Sequence, residues 1–215
     1  MRDLAIRGIF LLTAGVSSGW LVPQQIIDRI VTRVENNVIL LSDVRALGRY
    51  QQFLDGQAES DAQILDRLID QWIVRTEADA SHFPHPSEAD LDRALARVRD
   101  SFASEQEYEA RKRQAGLSGQ DVRAMVSSQL YLGNYLDSRF RPAVQIEPKE
   151  VEDFYHTAVV PRAKARGQAP PSLDAARDSI QEALIQNGIN QQGDQWLKES
   201  RVRLHIEKSL DEVAK

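Results

Sequence analysis

The chain has no cysteine. Disulfide frameworks, thiol nucleophiles and thiolate metal sites are therefore excluded at the outset. Basic residues are not in excess: 27 Lys and Arg stand against 32 Asp and Glu, for a formal net charge of -5. That balance argues against nucleic acid, where clustered Lys and Arg dominate phosphate binding. Arg111-Lys112-Arg113 is the one dense basic run, and it reads as a solvated helix face. The four histidines, His82, His85, His156 and His205, include no i, i+4 pair of the kind a helical zinc site uses. There is no glycine-rich phosphate loop and no GxSxG nucleophile elbow. Carboxylates are plentiful, but they fall at helix starts and on polar faces, where capping and solubility account for them. The expectation is a protein without catalytic residues, metal or cofactor.

What is present suits a folded body. The composition is 42% hydrophobic and 27% charged, which can supply a core and disfavours wholesale disorder. At the N-terminus, Arg2 and Arg7 precede the apolar run Ile9–Val16 and the small residues Ser17, Ser18 and Gly19. This is the order of a secretory signal, assigned to residues 1–22. The run is shorter than the ~20 residues of a transmembrane helix. The alternative reading of the same residues is an uncleaved amphipathic segment.

Beyond the leader, residues 26–34 are rich in β-branched side chains and partly alternate. Asn36 and Asn37 suit a tight turn, and Val38-Ile39-Leu40 reads as the returning strand of a hairpin. Helices then follow in close order, each behind a capping residue: Ser42, Ser60, Ser87, Ser104 and Ser118. Ile64, Leu65, Leu68, Ile69, Trp72 and Ile73 form one broad stripe at helical spacing. The segment His82-Phe83-Pro84-His85-Pro86 breaks the pattern. Gly116 fits the position that closes a short helix, and Pro148 the first turn of another. Residues 161–171, bounded by prolines, read as a linker. Ser172 restarts a helix that Gly188 and Gly193 are expected to kink or split. Residues 201–207 alternate strictly, so Val202, Leu204 and Ile206 are expected on one face of a strand with His205 pointing outward. A lone hairpin is marginal in water, so this tail is its natural third strand. The fold class is thus mainly α, with a small antiparallel sheet formed by the N-terminal hairpin and the C-terminal strand.

The order of these elements resembles one family. Ile27 to Val44 is similar to the hairpin and first helix of SurA-type chaperones, and Leu65-Asp66-Arg67-Leu68-Ile69-Asp70 to a helical motif that follows. Gly116-Leu117-Ser118 with Arg123 to Arg139, and Ile146 to Tyr155, resemble two later segments. Trp196, Leu197, Arg201 and Ile206 match the "W-L-x-x-x-R-x-x-x-x-I" of the closing segment. The resemblance divides the chain into a chaperone region (23–160), the linker 161–171, and a closing helix and strand (172–210). A parvulin prolyl-isomerase domain of on the order of 90–100 residues normally stands where the linker stands here.

The resemblance implies a periplasmic holdase for unfolded polypeptides, especially outer-membrane β-barrel precursors, without isomerase activity. Tyr50, Phe53, Phe102, Tyr108, Tyr131 and Tyr135 are the candidate client contacts, with core packing as their competing role. The rival function is an envelope adaptor that binds one folded partner.

Overall fold

A computed structural model describes residues 28–209; the leader expected at 1–22 lies outside them. Strand β1 (Ile30–Val34) turns through Glu35 and Asn36 and returns as β2 (Asn37–Leu40). Strand β3 (Ile206–Lys208) pairs antiparallel with the other edge of β1, giving the order β2-β1-β3. The protein is mainly helical, and both ends of its described chain build this one sheet.

The turn carries a detail absent from the sequence reading. The positive φ falls on Glu35 (51°) rather than on an asparagine, a conformation that disfavours a side chain with a Cβ. His205 holds it there. The Glu35 N–H donates to the His205 carbonyl at 3.0 Å, and the Glu35 carboxylate accepts from the His205 N–H at 2.7 Å. The hairpin turn is thus completed by the C-terminal segment.

Strand β1 is irregular between Ile30 and Thr32, and Val31 and Thr32 are both fully buried. The Thr32 hydroxyl has no hydrogen-bond partner among the described residues. A buried hydroxyl without a partner costs stability, and replacing it with an apolar group of the same shape removes that cost. Thr32→Val is therefore expected to raise stability by about 1 kcal/mol, seen as a higher urea midpoint. A lower midpoint would mean that the hydroxyl is satisfied in solution.

The helices are α1 (Leu41–Asp55), α2 (Asp61–Ala80), α3 (Glu88–Asp100), α4 (Glu105–Gln114) and α5 (Gly119–Phe140). After a short 3₁₀ turn at Arg141–Ala143 come α6 (Pro148–Phe154), α7 (Val160–Ala165) and α8 (Leu173–Arg203). Ser60, Ser87, Ser104, Ser118 and Ser172 each accept a backbone N–H at a helix start. Ser42 does not. Helix α1 begins two residues earlier than a Ser42 cap would place it, and the Asp43 carboxylate accepts the Leu40 N–H at 2.9 Å. Gly116 closes α4 with φ +65°.

Three expectations near the C-terminus are corrected. The linker is shorter than 161–171, because the chain stays helical to Ala165. Proline lacks an N–H and crowds the carbonyl four residues back; a widened π turn at Tyr155–Val159, ending two residues before Pro161, accommodates it. Helix α8 is not split. It runs 31 residues through both glycines, about 46 Å at 1.5 Å per residue. The closing strand is also shorter than 201–207. Arg201 to Arg203 remain helical, Val202 is 86% exposed, and Val202, Leu204 and Ile206 share no strand face.

Arg201 explains the last point. Its Nε donates to Asp70 at 2.7 Å, and its terminal nitrogens reach Asp66 Oδ1 at 3.1 Å and the Asp66 carbonyl at 2.6 Å. This fork fastens the last turn of α8 to α2. Lys208 adds a third cation-to-carboxylate contact, on Asp66, at 2.6 Å. Partial burial raises the Asp66 carboxyl, but the hydrogen bonds from Lys208 and Arg201 outweigh it and hold the group below its ordinary value.

The main core lies under the sheet between α1, α2, α3, α4 and the first half of α5. A second cluster joins the ends of α2 and α5. A third, small one packs Val151 of α6 on Ala176 and Ile180 of α8. The C-terminal part of α8 thus belongs to the body, while its N-terminal part forms an arm with α6 and α7. Arg141 ties the two together, donating to Asp137 at 2.8 Å and to Glu182 at 2.7 Å.

The two α8 glycines differ in consequence. A Cβ on Gly188 would stand 2.6 Å from Val144 Cγ1, whereas one on Gly193 meets nothing closer than Phe140 at 3.9 Å. Alanine is worth about 1 kcal/mol over glycine inside a helix. Gly193→Ala is therefore expected to stabilise by up to about that much. Gly188→Ala is expected to destabilise by about 1–3 kcal/mol, because stiff Val144 must be displaced. Paired thermal melts check the opposite signs.

Candidate functional site

The six aromatic candidates fall into two separate groups. Tyr50 and Phe53 of α1, Phe102 after α3 and Tyr108 of α4 form the first. Phe53 stacks on Phe102 at 5.0 Å and meets the edge of Tyr108 at 5.4 Å. Phe53 and Tyr50 are 0% and 1% exposed. The Tyr50 hydroxyl donates to Gln129 at 3.2 Å, and burial, helped by Tyr108 and Asp55, pushes its pKa up to about 12. Arg99 and Lys112 each lie 5.1 Å over Tyr108, and Arg111 lies 5.6 Å over Phe102. Cations thus cover the outer rings of this cluster.

Tyr131 and Tyr135 of α5 form the second group with Phe83 and His85. The Tyr131 hydroxyl donates to Asp79 at 2.7 Å and its ring stacks on His85 at 4.4 Å. Desolvation, with the neighbouring Asp79, raises its pKa to about 12. Tyr135 accepts from Arg139 at 2.7 Å and meets the edge of Phe83 at 5.5 Å. Five of the six candidates are buried and Phe102 is half-buried. Their placement serves packing: they do not line a common groove.

Tyr50 alone of the six borders a hollow together with polar groups such as Gln51, Glu59 and Arg67, one of about 620 Å³ between α1 and α2; two smaller hollows with aromatic and aliphatic walls lie elsewhere. A hollow of about 300 Å³ opens between α2, α5 and the end of α8, walled by Trp72, Trp196 and Leu204 and rimmed by Glu77, Arg139 and Arg203. A second, of about 280 Å³, lies between β2, α1, α2 and α5, with Val38, Leu68 and Met125 in its wall. Trp72 lines both. Both tryptophans are only half-buried. Their indoles fit the margin of a core, where an apolar body and a polar edge are both served. The sequence signal was limited to Trp72 sharing a helix face with Thr76, and Trp196 with Ser200 and Arg203.

Among the described residues no three His, Asp or Glu side chains converge as a metal site, and no helix is long and apolar enough to cross a membrane. No protein-family model and no curated protein sequence matches the chain.

Proposed function

We propose that the protein is a periplasmic holdase of the SurA type that binds unfolded polypeptide, chiefly outer-membrane β-barrel precursors, and that it does not catalyse prolyl isomerisation. The observation that carries this reading is the pair of open hollows, with aromatic and aliphatic side chains in their walls, that meet at Trp72. A holdase needs apolar and aromatic surface that accepts extended chains without strict sequence demands. Client contact then falls to Trp72, Trp196, Val38, Leu68 and Met125 rather than to the six aromatics of the packed clusters. The resemblance gains support from a contact: Asp66 and Asp70 of one motif meet Arg201 of another, 135 residues away from Asp66. The proposed lack of isomerase activity rests on the short connection between α7 and α8, residues 166–172, where the family carries its parvulin domain.

The arm favours a second reading, an adaptor that holds one folded partner. Its cluster has only three fully buried residues, flanked by half-buried Phe154, Tyr155, Val159 and Leu184.

The deciding experiment is light scattering of a urea-diluted outer-membrane β-barrel protein. Slower aggregation at stoichiometric ratios, with a proline-peptide isomerisation rate equal to the uncatalysed one, is the expected result. No effect on several unfolded envelope proteins, with tight binding to one folded partner, would favour the adaptor. Fractionation tests the location; full-length protein retained in the cytoplasm would sink it.

A further inference from the structure

The hollow between α2, α5 and α8 has an apolar floor and an uneven rim. Ile73 is buried, and Trp72, Trp196 and Leu204 are half-buried. Two guanidinium groups and one carboxylate reach the edge. Arg139 is already engaged: it lies 4.9 Å over the Trp196 ring, donates to the Tyr135 hydroxyl, and stands 3.9 Å from Glu77.

Arg203 is different. Its Nε donates to the Glu199 carbonyl at 3.2 Å, which fixes the plane of the group. It is exposed, and among the described residues it has no carboxylate partner; Asp66 and Asp70 of α2 are taken by Arg201, two residues earlier. Its terminal nitrogens form an open fork of the shape that takes a carboxylate in two parallel hydrogen bonds. On a chain with a net charge of -5, this is a local exception beside an aromatic wall. At about 300 Å³, the hollow is at the small end of ligand pockets and suits one bulky side chain.

We propose that this hollow seats a large apolar side chain of an extended polypeptide while Arg203 binds an aspartate or glutamate next to it in the same chain. The inference deepens the client-binding reading and rests on it. It makes the site selective for apolar-acidic steps, and it leaves apolar-basic steps opposed by Arg203, the charge of Arg139 being offset by Glu77.

The test titrates the full chain with three ten-residue acetylated, amidated peptides, identical except for a central Phe-Asp, Phe-Lys or Ala-Asp. Affinity is followed by the NMR shift of the Trp196 indole N–H. The Phe-Asp peptide is expected to bind about two- to fivefold tighter than Phe-Lys, the range of an exposed ion pair, with Ala-Asp weaker than Phe-Asp. Arg203→Glu should invert the Phe-Asp and Phe-Lys order, and Arg203→Gln should abolish the difference. Both variants should melt where the parent does, since Arg203 is exposed. Equal affinities in the parent, or an unchanged order in Arg203→Glu, would overturn the proposal. If aggregation is suppressed without the peptide preference, this inference fails and the holdase reading stands. If the preference is found without suppression, the site stands and the holdase reading fails.

Discussion

Ending the chain after Ser200 is expected to lower the thermal midpoint by about 10 °C or more. The truncation removes Arg201 with its hold on Asp66 and Asp70, half-buried Leu204 and Ile206, and the strand that covers one edge of β1. Hydrogen bonds to charged groups contribute about 1.5–3 kcal/mol. Half-buried aliphatic side chains contribute about 1 kcal/mol each. The sum is on the order of 4 kcal/mol, and in a chain of this size each kcal/mol moves the midpoint by about 2–4 °C. Glu35 also loses the two bonds from His205 that hold its positive φ. A truncated protein melting within about 2 °C of the parent would show that the sheet does not need its third strand.

Phe53→Ala should cost about 3–5 kcal/mol, the usual range for emptying a fully buried ring. Phe53 is 0% exposed and touches three aromatic partners: Tyr50, Phe102 and Tyr108. Urea unfolding at an unchanged slope would give the loss directly. The result also separates two roles for the residue. A core ring unfolds the protein when removed. A client contact would weaken aggregation suppression while leaving stability within about 1 kcal/mol, and that outcome would return Phe53 to the binding surface.

Local features were the most legible in the sequence. Six serines read as helix starts that must satisfy free N–H groups; five do so in the fold, and Ser42, which lies inside α1, does not. The apolar stripe of α2 and the closing role of the C-terminal segment were readable for similar reasons: a helix shows its period, and a two-stranded hairpin needs company. Residues 201–204 misled because four alternating residues fit the end of a helix as well as a strand. The arbiter there is the pair Asp66 and Asp70, far away in sequence. The candidate site was the least legible part. Periodicity tells which face of a helix turns inward, but not where along that face the core ends and an open hollow begins. Tyr50 and Trp72 both lie on apolar stripes, yet one is sealed and the other half-open.

The bonds between Glu35 and His205 link residues 170 apart, and this sets a clock. Chains grow at roughly 5–20 residues per second, so β1 waits on the order of ten seconds or longer for its second neighbour to be made. Until then the central strand keeps one edge unpaired and the hairpin turn lacks its support. Contacts between such distant residues also form slowly, because a long loop must close before anything is gained. The nascent chain therefore stays short of its folded state until the segment around His205 has been made, and throughout that interval its central strand is open on one side.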